Sequence, residues 1–351
     1  EEPKESEQVE MPTLLQMTPR TREAFLSILM RPPFVFVREL VILAQSKDAP
    51  NSVCEGIIDI FLQHKKVNDL MTAVITYELE NFNGATSYEL FRKDSIVGPL
   101  FLALILRVGE QYRNVILTEE ITQFILYNEK GINIEIGMCD PKELTQNMER
   151  FENEVNHFLI KIEANTSKFP LLLRQQLHNL KNLVDNVFPG KGHDAVATIF
   201  FFHFFYPSLV FPERYGPQMV ITRDARKTFS ALGRALVFIA TKTTLLQNSG
   251  VLNNVNTVKR QERVTELVKS LSDISGHQGE ELFSWCKNID ELAKNSFAGT
   301  HVVKDFAMDN LPVLWKSLVD DREIVQTFYP FICHGFEKLC KQTSESIKKT
   351  N

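Results

Sequence analysis

Phe200-Phe201-Phe202-His203-Phe204-Phe205-Tyr206-Pro207-Ser208-Leu209-Val210-Phe211-Pro212-Glu213 decides how this chain folds. It belongs to the most apolar stretch of the sequence, 195–211. That stretch falls short of the ~20 residues a membrane-spanning helix needs, and it carries His203 and Pro207. A run that is apolar on every side reads as a helix buried nearly all round, so other helices must cover it. Proline removes a backbone donor and fixes φ, so Pro207 predicts the end of that helix and a turn through Pro212.

The flanking sequence supplies the cover. Met148, Phe151, Val155, Phe158, Leu159 and Ile162 recur at three- and four-residue spacing, with Glu149, Arg150, Glu152, Glu154 and Lys161 opposite. Leu173, Leu177, Leu180, Val184 and Val187 form a second stripe, with Pro170 in its first turn and Pro189-Gly190 at its end. Residues 228–246 and 264–271 read the same way. Two runs look strand-like, 34–37 and 132–136, but neither has a partner at hairpin spacing. The first is expected to enter a helix and the second to be an extended connector. The fold class expected is all-α. An acidic leader over 1–20 reads as mostly disordered. One helical body follows over 21–315, and an extension over 316–351 adds one or two helices, fraying after 344.

Composition bounds the function. The chain has 351 residues, 44% of them hydrophobic and 24% charged, which is ordinary globular material. Its net charge of -5 gives no global basic field for nucleic acid. Its five cysteines form no Cys-x-x-Cys pair and read as free thiols of a reducing compartment. Asn165-Thr166-Ser167 matches a glycosylation acceptor, but no signal peptide accompanies it. The eight histidines never fall three or four residues apart, so no helix-borne metal pair is expected. Gly190-Lys191-Gly192 is not a phosphate-binding loop, and no Gly-x-Ser-x-Gly or dinucleotide fingerprint occurs. The chain opens without methionine and reads as a piece of a longer protein with further domains.

A second segment gives these helices a purpose. Leu90-Phe91-Arg92-Lys93-Asp94-Ser95 ends a polar stretch that runs from Glu78 through Thr86, just before an apolar helix beginning near Ile96. A guanidinium on a loop braced by a helix can enter a neighbouring protein, and its planar fork suits phosphate oxygens. The two segments, in this order, resemble the GTPase-activating domain of the Ras GAP family. That family's Thr-x-x-Leu-Phe-Arg loop carries an arginine finger, and its later Phe-Leu-Arg-x-x-x-Pro pattern supports the loop. Asp140-Pro141-Lys142-Glu143-Leu144, Phe169-Pro170 through Arg174, and Val187-Phe188-Pro189 resemble further family motifs. The likeness covers roughly 35–315.

The resemblance implies a helical domain that binds a GTP-loaded Ras-like small GTPase and gives Arg92 to its active site. Leu90, Phe91, Phe202 and His203 would support the finger loop. Lys93, Pro207, Arg234, Val237, Thr241 and Lys242 would face the GTPase. Water and magnesium stay with the GTPase, so no cofactor or metal of its own is implied, and the location implied is cytoplasmic. The sequence also departs from the family. His203 stands where the family has its second arginine, with Phe202 in place of the preceding leucine. Val237 and Thr241 stand where a glutamine and an asparagine are usual. Two readings of His203 stay open: a reduced brace for the finger loop, or plain packing. The rival function is a GTPase-binding scaffold with little activation. A third is an activator of a Rap-like GTPase.

Overall fold

A computed structural model describes residues 19–47, 50–84, 89–92, 94–127, 131–134, 140–215, 221–241, 257–277, 289–310 and 313–314. Every regular element among the described residues is a helix, as expected. The first half holds α1 (Pro19–Leu29), α2 (Val35–Ser46), α3 (Pro50–Gln63), α4 (Val67–Glu80), α5 (Val97–Val108), α6 (Glu110–Arg113) and α7 (Glu119–Tyr127). The second half holds α8 (Pro141–Ala164), α9 (Leu171–Val187), α10 (Gly192–Ala197), α11 (Tyr206–Val210), α12 (Pro212–Tyr215), α13 (Arg223–Thr241), α14 (Thr257–Leu271) and α15 (Ile289–Asp309).

Both stripes read from sequence face inward, apart from Val187 at the end of the second, which is 51% exposed. Phe151, Val155, Phe158, Leu159 and Ile162 of α8 are buried, as are Leu173, Leu177, Leu180 and Val184 of α9. Asp140 caps α8 by accepting the amides of Lys142 (2.9 Å) and Glu143 (3.0 Å), which relieves two orphan donors of the first turn. The strand-like run at 34–37 enters α2, with Phe34 left-handed at φ 60° in the N-cap position. Helix α1 begins at Pro19, inside the last two positions of the expected leader. The rest of that leader, 135–136 of the expected connector, and the extension 316–351 lie outside the described residues.

The apolar run is helical and buried, but it does not stop at Pro207. Thr198–Phe205 is π-helical, and α11 carries the chain through the proline to Val210. In an α-helix the proline ring would meet the carbonyl four residues earlier, and the wider π turn ahead of it relieves that clash. The buried aromatics share one face of this segment. Phe200, Phe201, Phe204 and Phe205 are all fully buried, while Phe202 and His203 reach the side that meets α5 and the preceding loop. Around Phe200, ring pairs with Phe201 (5.1 Å), Phe204 (5.5 Å) and Phe169 (6.0 Å) are edge-on, the geometry that aromatic quadrupoles favour.

Two glycines fix the other crossing. A Cβ on Gly56 of α3 would lie 2.9 Å from the Gly299 carbonyl of α15, and one on Gly299 would lie 2.8 Å from the Gly56 carbonyl. The two helices therefore meet backbone to backbone.

Candidate functional site

The loop between α4 and α5 carries Arg92. Leu90 and Phe91 are 2% and 1% exposed, so the loop is anchored by two apolar side chains. Phe91 and Asp94 adopt left-handed backbone, φ 61° and 54°. Such residues cost about 1–3 kcal/mol each and persist only where the surroundings hold them.

His203 is one such hold. Its Nε2 approaches the carbonyl oxygen of Phe91 in a short hydrogen bond. The carbonyl can only accept, so this nitrogen carries the proton. Burial depresses the His203 pKa below the usual histidine value, outweighing the bond to Phe91, and the nearby Arg92 charge depresses it further. The imidazole is therefore neutral near pH 7. It lies against Gly98 of α5, where a Cβ would come within 2.3 Å of the ring. Phe202 stands edge-on to His203 at 5.0 Å and 5.9 Å from the Arg92 guanidinium. The Arg92 amide donates to the Glu89 carbonyl (3.2 Å), which closes a tight turn behind the side chain. Partial burial pulls the Arg92 pKa down, and arginine still stays charged at neutral pH.

The loop's far end has partners that sequence reasoning missed. Glu78, at the end of α4, accepts the Ser95 hydroxyl (3.0 Å) and the amides of Ile96 and Val97 (3.1 Å each) on one oxygen, Oε2. Ser95 Oγ in turn accepts the Gly98 amide (3.1 Å), and the Ser95 carbonyl accepts Gln45 Nε2 from α2 (2.6 Å). A serine ahead of an apolar helical run is a capping signal legible in sequence. Its pairing with Glu78 is not.

Helix α13 packs on the π segment and on α11. Val237 and Thr241, assigned to a partner surface, are 7% and 2% exposed. The Thr241 hydroxyl donates back to the Val237 carbonyl (2.8 Å). Val237 and Thr241 follow Arg234 by three and seven residues, on the same helical face, yet they are buried while Arg223, Lys227 and Arg234 are exposed. Arg226 is committed locally: it donates to the Val210 carbonyl (2.6 Å) and pairs with Glu213 (2.9 Å), which ties the turn after Pro207 to α13. Pro207 is partly buried. Lys93, Lys242 and Thr86 lie outside the described residues.

Other sequence-singled residues have structural work. Arg174 is 4% exposed, and its guanidinium donates to the carbonyls of Phe169 (3.1 Å), Ser270 (2.5 Å) and Thr166. The Asn165 side chain of the glycosylation-like triplet donates to the Lys161 carbonyl (2.8 Å) and is buried. Cys54 is free, and burial pushes its thiol pKa up. Among the described residues no cluster of His, Cys, Asp or Glu could hold a metal, and no helix is long and apolar enough to cross a membrane.

Residues 140–241 match the family described as GTPase-activator protein for Ras-like GTPase, abbreviated RasGAP. The matched stretch runs from the cap of α8 to the end of α13. It contains the π segment and His203, while the Arg92 loop precedes it. No curated protein matches the chain.

Proposed function

We propose that this domain binds a Ras-like small GTPase in its GTP-bound form and inserts Arg92 to stimulate hydrolysis. One observation carries the reading: His203, inside the stretch that matches the RasGAP family, grips the carbonyl of Phe91, next to Arg92. The two motifs lie 112 residues apart and meet at the residue the chemistry needs. In phosphoryl transfer to water, negative charge spreads over the phosphate oxygens. A guanidinium supplied in trans by a GTPase activator offsets that charge, which raises the rate by about 10³ to 10⁵. Binding falls to the exposed cations of α13, Arg223, Lys227 and Arg234, together with Lys93, Lys242 and the ridge at Pro207. Electrostatic complementarity there would speed encounter with an acidic partner. The account places the domain in the cytoplasm, at the inner membrane face where a lipid-anchored GTPase would bring it.

A second reading is a GTPase-binding module without activation. It is favoured by the single bond that His203 makes, where an arginine has five N–H donors to spread over a loop. Single-turnover GTP hydrolysis across a panel of Ras-like GTPases, with and without the domain, separates the two. Stimulation of one member by 10²-fold or more supports activation. Binding to a GTP-loaded member with no change in its rate supports the second reading.

A further inference from the structure

We infer that Glu78 is a positioning residue for Arg92, acting through Ser95 and the first amides of α5; this rests on the activating role proposed above. The Arg92 loop is fixed at two points. At one, His203 holds the Phe91 carbonyl. At the other, Glu78 Oε2 gathers the Ser95 hydroxyl and the Ile96 and Val97 amides. Only residues 92 to 94 lie between, and Phe91 and Asp94 at the edges of that span are both left-handed. Three residues between two fixed points leave the arginine little freedom in where its Cα stands and which way it points.

The second clamp is built from three helices. Glu78 comes from α4, Gln45 from α2, and the amides belong to the start of α5. A carboxylate there meets donors that have no partner inside their own helix, and it faces the positive end of the α5 dipole. Ser95 shares its hydroxyl between the Glu78 carboxylate and the Gly98 amide, and Gly98 is also the residue against which the His203 ring rests. The two clamps therefore converge on one turn of α5, and loosening either should free the same loop. A carboxyl withdrawn partly from water is costly for a cap that serine alone could make. Holding the loop in register accounts for its place.

Two measurements on Glu78→Ala, Glu78→Gln and Ser95→Ala test this. The first is amide hydrogen exchange and requires no GTPase. In Glu78→Ala, exchange at Ile96, Val97 and the 89–92 segment should accelerate by 10-fold or more while α9 and α13 keep their protection. Unchanged exchange at the loop overturns the inference. The second uses a GTPase that responds to the parent domain. The maximal hydrolysis rate should fall by about 10-fold with Glu78→Ala, and the half-saturating domain concentration should move less than about 3-fold. Glu78→Gln keeps a carbonyl acceptor and should retain most of the rate. An unchanged maximal rate, or a loss confined to affinity, overturns the inference. Should Glu78→Ala fail to fold, Ser95→Ala carries the same comparisons with the same deciding outcomes. If no GTPase responds to the parent domain, the activating role falls, and the exchange measurement still decides whether Glu78 holds the loop.

Discussion

Arg92 and Arg174 are the same side chain at the ends of two motifs read from the sequence, and the fold treats them in opposite ways. Arg174 is buried at the start of α9, with its guanidinium directed to three backbone carbonyls from two other segments. It staples the α8–α9 connection to the end of α14. Arg92 sits half-exposed between left-handed Phe91 and Asp94 and near the Phe202 ring, on a loop whose backbone is gripped by His203 on one side and Glu78 on the other. An arginine surrounded by carbonyls serves the fold. In the role proposed above, one whose loop backbone is anchored by others is offered to a partner. The difference lies in where the hydrogen bonds attach, and the residue type does not reveal it.

That contrast can be broken by substitution. Arg174→Ala leaves buried carbonyls unmet and opens a void, so we expect about 3 kcal/mol or more of lost stability, read as a lower urea midpoint. Arg92→Ala should leave the same midpoint within about 0.5 kcal/mol. Equal losses at the two sites would erase the distinction. Gly98→Ala is the next effect. The new methyl displaces the His203 ring, and helix propensity gains up to about 1 kcal/mol in return. Overall stability should change little while the maximal rate of GTPase stimulation falls about 10- to 100-fold. His203→Ala should produce a similar fall, and the double variant should show no further loss, because both act on one contact.

The smallest expected effect is a pH dependence. Burial raises the Glu78 pKa to about 7, against the pull of its three hydrogen bonds. The folded domain then binds a proton that the unfolded chain, with an ordinary carboxylate near 4.5, has released. Between about pH 4.5 and 7 this group makes stability fall as pH rises, and outside that window it has no slope. Relative to Glu78→Gln, the parent should lose about 1–3 kcal/mol across that interval, measured by chemical denaturation at several pH values. A parallel pair of curves would remove the raised pKa from the account.

Much of the architecture was legible because helices repeat. The stripes in α8 and α9 need only a three-to-four-residue period, and the Asp140 cap follows from its place before Pro141. Phe200, Phe201, Phe204 and Phe205 fall on one face of an α-helix as readily as of a π-helix, so the π register was not visible, and with it the continuation of the helix past Pro207 was missed. The phase of α13 was taken from the resemblance, which put Val237 and Thr241 outside. They are buried all the same, although the period sets them beside Arg234 and away from the stripe of Phe229, Leu232, Leu236 and Ile239, so their burial does not follow from the phase of the helix. At the site, Arg92 and His203 could be named from their motifs, and the resemblance offered a brace as one of two readings of His203, but the Phe91 carbonyl as its point of contact could not be read. The same holds for Gly98 under the imidazole and for Glu78 at Ser95. These contacts join residues far apart along the chain, and glycine and glutamate carry no local mark of such a role.

The central claim is that Arg92 acts in a GTPase's active site. Single-turnover hydrolysis by the responding GTPase, with saturating parent domain or Arg92→Ala, tests it directly. The account predicts that Arg92→Ala lowers the stimulated rate by about 10³-fold while still binding the GTP-loaded form, and that Arg92→Lys fails too, because a point charge cannot reproduce the fork. Stimulation by Arg92→Ala equal to that of the parent would contradict it.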